Sequence, residues 1–318
     1  MIINPHPPKP NALDNDLNSL EIIRKKKIYI YYFYLIFLIL SILAIVVPVV
    51  MIIIRIIIVG PALVGRIYML FLVIGTVLCF IFNALYRIFR KQVKSFKKDI
   101  LNGLFPIITR NIYQNEVVFN ANEGLDLEEI SRPDFFQRSI GYDSSNLLMG
   151  KYQGLAFKMS DFLLEIKNNT AGDTNKNNVI KTKGRMLIMK LPAKRSMVIN
   201  VMERKGNYKH NFLQRLSLDN AEFNQKFNVY SAELKEALHF LSNKMQNIFL
   251  DLEKQFSGGI YFRLVGDICY VAIVDKKKTF NLSITKPFSL ETINSLVPSF
   301  LVPKTFIDAF IAYYATNP

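Results

Sequence analysis

The hydrophobic positions fall into two regimes. From Ile28 to Ile54 there are 27 residues without a charge, and from Ile67 to Tyr86 there are 20 more. A hydrocarbon core of about 30 Å needs roughly 20 apolar residues at 1.5 Å each, so either run can span a bilayer. The first run is far longer than the apolar stretch of a signal peptide, about 7–15 residues, and a polar, Pro-rich segment precedes it. The pattern predicts a retained transmembrane hairpin over 28–86, behind a polar tail over 1–27. Beyond it Phe89, Val93, Phe96, Ile100 and Leu104 recur at helical steps, which predicts an amphipathic stalk helix over 87–110 whose stripe docks on the C-terminal domain.

Past that point the period changes. Leu155–Met159, Phe162–Ile166, Val179–Leu191 and Ser196–Met202 read as strands. Ile260–Val274 reads as a hairpin around Gly266-Asp267, pairing Leu264 with Cys269, Phe262 with Val271 and Ile260 with Ile273 on one apolar face. Helices are predicted after Pro133 (Asp134–Ser139), after a Ser231 cap (Ala232–Leu241), through Met245, Ile248, Leu252 and Phe256, and after Pro303 (Lys304–Tyr314). Strands and helices do not alternate strictly. The fold class predicted for 111–318 is therefore an α+β domain of helices and antiparallel strands.

Charge gives the hairpin an orientation. Arg24, Lys25, Lys26 and Lys27 precede the first span, and Arg87, Arg90, Lys91, Lys94, Lys97 and Lys98 follow the second; the connector holds only Arg55 and Arg66. Basic loops stay inside, so both termini are expected in the cytoplasm, with a short turn at Gly60-Pro61 outside. Net charge is +15 over 318 residues, but it is concentrated beside the spans and does not argue for nucleic acid. The two cysteines, Cys79 and Cys269, exclude a disulfide scaffold, and Cys269 is expected to be a buried core thiol.

Chemistry is sparse. The chain has no Walker loop, no dinucleotide turn and no ligand spacing among His6, His210 and His239, so neither a metal nor a cofactor is expected. One segment stands out. Between Thr174 and Met202 lie Lys176, Lys181, Lys183, Arg185, Lys190, Lys194 and Arg195 and no acid. Lys181, Lys183 and Arg185 alternate, so on a strand they share a face. That face reads either as a surface for an anionic lipid or an acidic partner, with Lys190, Lys194 and Arg195 contributing, or as lysines guarding an edge strand. Interleaved aromatics for stacking bases are missing, which argues against nucleic acid.

The stretches Leu213–Asp219, Glu222–Tyr230 and Leu241–Met245 resemble the core of domain-of-unknown-function family 3137, over roughly Phe135 to Thr285 and the span pattern. The resemblance implies a two-span protein of a bacterial cytoplasmic membrane; some members of that family are encoded beside LemA-type membrane proteins, which hints at a membrane-protein partner. It brings no catalytic residues. The resulting expectation is a multi-pass membrane protein presenting a cytoplasmic binding or scaffolding domain. The alternative is a membrane-anchored enzyme with a hydrolase-like site, which a deep polar pocket around His210 or His239 would favour.

Overall fold

The computed structural model describes residues 10–59, 66–114, 116–167, 179–192, 197–204, 213–256, 258–275, 285–288 and 290–316. It divides into two compact units: Lys9–Gly103 with Leu282–Phe288, and Leu104–Asn281 with Ser289–Pro318.

The first unit is a helical hairpin of α1 (Pro10–Val59) and α2 (Arg66–Tyr113), whose last residues belong to the second unit. Both helices are long and apolar enough to cross a bilayer, which makes this a membrane protein. The polar tail predicted over 1–27 is helical from Pro10 on and continuous with the first span, and the turn expected at Gly60-Pro61 lies outside the described residues. Interlocking aromatics zip together the N-terminal half of α1 and the middle of α2: Phe89 stacks on Phe33 (5.6 Å) and Phe37 (5.3 Å), and Tyr34 stacks on Tyr86 (5.1 Å). Farther along, Gly75 lets the helices approach, because a Cβ there would sit 2.6 Å from the Ala44 carbonyl oxygen and 2.7 Å from Pro48. Pro48 has no N–H for that carbonyl, four residues earlier, so the close approach occurs where the helix ladder is already open. Outward side chains such as Ile39, Ile42 and Ile53 are about half exposed, as lipid-facing residues are. In α2, Val93, Phe96, Ile100 and Leu104 are buried, so the predicted apolar stripe is one continuation of the second span rather than a separate helix.

The second unit is a nine-stranded antiparallel sheet with strand order β1-β2-β3-β4-β9-β8-β5-β7-β6. Its strands are β1 (Val117–Asn120), β2 (Ser139–Tyr152), β3 (Leu155–Lys167), β4 (Val179–Lys190), β5 (Val198–Glu203), β6 (Gln214–Leu216), β7 (Phe227–Ser231), β8 (Ile260–Val265) and β9 (Ile268–Val274). Helices α5 (Leu234–Phe240), α6 (Asn243–Gln255) and α7 (Leu290–Thr316) cover one face. Phe262 of β8 meets Phe240, Phe249 and Phe306 from these three helices at 5.3–6.1 Å. Short helices α3 (Leu127–Ser131) and α4 (Ala221–Lys226) complete the domain. The other face carries a second core, in which Ile130, Phe135, Phe162, Leu164, Met186 and Ala272 pack together. The α+β prediction therefore holds.

The β8–β9 hairpin has the predicted register, and Gly266 (φ 63°) supplies its turn. Cys269 is fully buried, and burial pushes its thiol well up. Four expectations are corrected. No helix follows Pro133; Asp134 is left-handed (φ 54°), Phe135 plugs the second core, and β2 begins at Ser139. The two short strands around Ser160 are one, because the Ser160 hydroxyl accepts from the Leu125 amide and the Asp161 carboxylate accepts from Arg185. Ser231 ends β7 instead of capping a helix; its hydroxyl donates to the Val198 carbonyl and accepts from the Glu233 amide, so α5 starts later. Finally, α7 does not start after Pro303 but runs through Pro298 and Pro303. It too is long enough to cross a bilayer, yet half of its apolar window is buried, with Phe300, Phe306 and Phe310 fully enclosed.

The hairpin register is open to a direct check. Ser41 Oγ lies 3.8 Å from Cys79 Sγ across the two helices. Ser41→Cys should therefore cross-link to Cys79 under mild oxidation in membranes, whereas a cysteine at lipid-facing Ile42 should not. No cross-link from position 41 would show that the helices pair in another register.

Candidate functional site

The basic segment does not form one surface. Lys181 is exposed and pairs with Glu165 at 2.8 Å. Lys183 is exposed as well. Arg185 shares their side of β4, but it is only 3% exposed and engaged with Asp161 through Nε (3.2 Å) and Nη2 (3.1 Å). Asn146, left-handed at a register shift in β2, donates to the other Asp161 oxygen at 2.8 Å. Burial raises the Asp161 carboxyl pKa, while Arg185 and Asn146 pull it back. Arg185 thus leaves the anion-binding set, because a buried guanidinium already held by a carboxylate has nothing to offer an outside ligand. The signal for this was in the sequence: Asp161 stands directly before the apolar Phe162-Leu163-Leu164, and a largely buried carboxylate requires a partner. Lys194 and Arg195 lie outside the described residues, as do Lys176 and His210.

The edge-strand alternative is also narrowed. Gly184–Met189 lies between β3 and β9, so this half of β4 is internal. Val179–Lys183 pairs along its length with β3 alone among the described strands, and only that end could need guarding. Among the basic residues flanking the spans, Lys25, Lys26, Lys27, Arg87, Arg90, Lys91 and Lys94 are exposed. Arg24 is not; it is buried and bonded to Glu21 at 2.7 Å.

Lys190 sits instead on the rim of a groove of about 540 Å³ on the sheet face opposite α5–α7. The groove exists because the second core covers β3 only from Ser160 on, leaving the Ala156 and Lys158 end bare. Its floor is Val118 (62% exposed), Met149, Ile188, Ile268 and the ring of Tyr270. Lys151, Lys190, Lys158, Arg132, Glu116 and Glu129 edge it. Glu129 closes a capping box on Asp126 and holds Lys158 at 2.8 Å. Burial alone would raise its carboxyl, but the bonds from Lys158 and the Asp126 amide outweigh that and lower it. Arg132 is paired with Glu128. Lys151 and Lys190 have no carboxylate partner among the described residues, so the rim is positive on balance.

A larger cavity, about 910 Å³, opens on the helical side, between the Ser217–Asp219 loop, the α5–α6 junction and α7. Asn224 fixes that loop by exchanging hydrogen bonds with the Leu218 backbone, and Asn220 caps α4 through the Phe223 amide. His239 lines the cavity and packs edge-on against Tyr313 (5.8 Å). Sequence reasoning named His239 but not the loop that faces it, which is brought there by the pairing of β6 with β7 and by Asn224.

Fold and grooves together define a class: a membrane protein with two N-terminal apolar helices and an α+β domain built on one antiparallel sheet. The family described as "Protein of unknown function (DUF3137)" matches residues 173–310, so the resemblance to it stands and extends into α7. No curated protein matches. Among solved structures, the crystal structure of the mycobacterial trehalose monomycolate transport factor A, TtfA, is similar at 12% identity and a TM-score of 0.31. That similarity covers 58% of this chain and 87% of that one.

Proposed function

We propose that this protein is a multi-pass anchor in a bacterial cytoplasmic membrane, with both termini inside, that presents its α+β domain to a membrane-protein partner. The observation that carries the reading is the sheet-face groove: a bare apolar floor under a rim on which Lys151 and Lys190 lack carboxylate partners among the described residues. Charge complementarity selects an acidic amphipathic segment of the partner as occupant, its apolar side on Val118, Met149 and Ile188 and its acids toward the two lysines. A flat lipid surface fits less well, because the groove is concave and the basic stripe that would have met headgroups is broken by the burial of Arg185.

The hydrolase reading has its pocket around His239 but lacks its chemistry. Activation of a nucleophile requires a base within hydrogen-bond reach. Among the described residues His239 makes no hydrogen bond to Ser217, Ser242 or Asp219, although all four line the same cavity.

Two measurements test the proposal. Cysteines introduced at Asn4 and at Pro318 should be labelled only after the cells are permeabilised, and one at Gly60 from outside intact cells. Labelling of position 318 from outside would overturn the inward orientation. With the full chain in phosphatidylcholine nanodiscs, a synthetic acidic amphipathic peptide should bind more tightly than its Lys-substituted counterpart. Lys151→Glu with Lys190→Glu should weaken that binding at least ~10-fold, and exposed substitutions of this kind leave stability within about 0.5 kcal/mol. Equal binding of both peptides, or binding of the double variant to the acidic peptide at wild-type strength, would contradict the assignment; so would a preference for anionic vesicles over the peptide.

A further inference from the structure

The longest strands leave one end of the sheet without neighbours. β4 pairs with β9 only from Gly184 on, apart from one bond from the Asp275 amide to the Lys183 carbonyl, and β1 reaches β2 only at Leu147–Gly150. Among the described residues, Ser139–Asp143, Leu163–Lys167 and Val179–Lys183 therefore form a three-stranded tip. Leu164 and Ile166 on its middle strand belong to the second core, but the residues opposite them are not enclosed. Tyr142, opposite Leu164, is 47% exposed, and Ile180, opposite Ile166, is 50% exposed. A register shift in β2 leaves Ile140 without an opposite residue, and it is 62% exposed.

Charge and chain direction indicate what meets this tip. Arg138, Lys167 and Lys183 are exposed and have no carboxylate partner among the described residues, while Lys181 holds Glu165. Asp143 is the one exposed acid on these strand ends, so the tip is positive on balance. α2 runs unbroken from the second span to Tyr113. Within the α+β unit its Phe105 packs on Phe119, which is level with Leu148, and its Tyr113 packs on Tyr152. α2 thus follows β2 in the same direction, and the Ser139 end of β2 lies on the side at which α2 enters this unit.

We infer that this tip dips into the membrane leaflet from which α2 emerges. Ile140, Tyr142 and Ile180 lie at the boundary of headgroups and acyl chains, and Arg138, Lys167 and Lys183 lie among anionic headgroups. Apolar side chains beside a positive rim suit that boundary, where a tyrosine keeps its hydroxyl in water. A second copy paired edge to edge on β4 would instead bring Lys181 and Lys183 against their own counterparts, which is unfavourable. The contact lies at the opposite end of the sheet from the groove and does not depend on what the groove binds.

The chain has no tryptophan, so Ile140→Trp reports on this position alone. The full chain carrying it is placed, one copy per disc, in phosphatidylcholine–phosphatidylglycerol nanodiscs with and without acyl-brominated phosphatidylcholine, beside Val118→Trp on the groove floor. Emission from position 140 should be blue-shifted and quenched by the brominated lipid, and emission from position 118 should not be quenched. Ile180→Trp should behave as position 140 does, from a different strand, which separates insertion from a local folding defect. Lys167→Gln or Lys183→Gln in the Ile140→Trp chain should each lower the ratio of inserted to free tip about 5-fold, the contribution of one lysine near an anionic surface. Salt at about 1 M, where the Debye length is about 3 Å, should lower it too. Quenching at 140 no greater than at 118 would overturn the inference, as would quenching unchanged by both substitutions and by omission of phosphatidylglycerol. A blue shift without quenching that appears only with two copies per disc would assign the tip to a second copy and overturn the lipid contact.

Discussion

One carbonyl group organises the α+β domain. Pro303 has no N–H, so the Ser299 carbonyl, four residues earlier in α7, loses its helical donor in a place that is buried. Arg185 reaches it from β4 with Nη1 at 3.3 Å, while its other nitrogens hold Asp161 of β3. Tyr113 donates to the next carbonyl, Phe300, and Lys304 bridges Tyr152 (2.5 Å) and Asp308 (2.6 Å). The carbonyl that Pro303 leaves open in α7 is thus met by a donor from the sheet. The burial of Phe300, Phe306 and Phe310, and the wall formed by Ala309, Ala312 and Tyr313, follow from that placement. The same pair keeps the sheet in register at its centre, because Asp161 and Arg185 stand directly opposite each other across β3 and β4.

The membrane hairpin follows a different logic. Lipid supplies no water to hydrogen-bond and little hydrophobic drive between helices, so association depends on shape. Gly75 beneath Ala44 and Pro48 gives the close approach, and the Phe33–Phe37–Phe89 stack fills the wider end. Neither feature requires a polar contact, which is why a run as uniformly apolar as Ile28–Ile54 can still choose a partner face.

What could be read in the sequence is what local patterning determines. The spans, the stripe Val93–Leu104, the β8–β9 register and the buried state of Cys269 all follow from period and turn chemistry over fewer than about 30 residues, and each is present. Where the reading failed, a distant partner had overruled a local rule. Pro303 marked a helix start because nothing nearby in sequence shows that Arg185, 114 positions away from Ser299, can take the place of the missing donor. Ser160 and Asp161 marked a strand break because their partners Leu125, Asn146 and Arg185 come from three other segments. The same blindness made Arg185 look like a surface cation: alternation places it with Lys181 and Lys183 but does not reveal that α7 covers that end of the strand. Both grooves share this origin. They are defined by where a covering element stops, a fact of packing that no short motif records.

Central to this architecture is Arg185 as the donor that Pro303 removes. A double-mutant cycle on the full chain measures this, with Arg185→Met, Pro303→Ala and both together, each scored by reversible denaturation of the α+β domain. Arg185→Met alone should cost about 3–5 kcal/mol, because it leaves the Asp161 carboxylate and the Ser299 carbonyl unpaired. In the Pro303→Ala background the helix regains its own N–H for Ser299, so the same substitution should cost less by about 0.5–1.5 kcal/mol, the net worth of one hydrogen bond. Costs that simply add would show that the guanidinium and the proline act independently, and would contradict a shared role at Ser299.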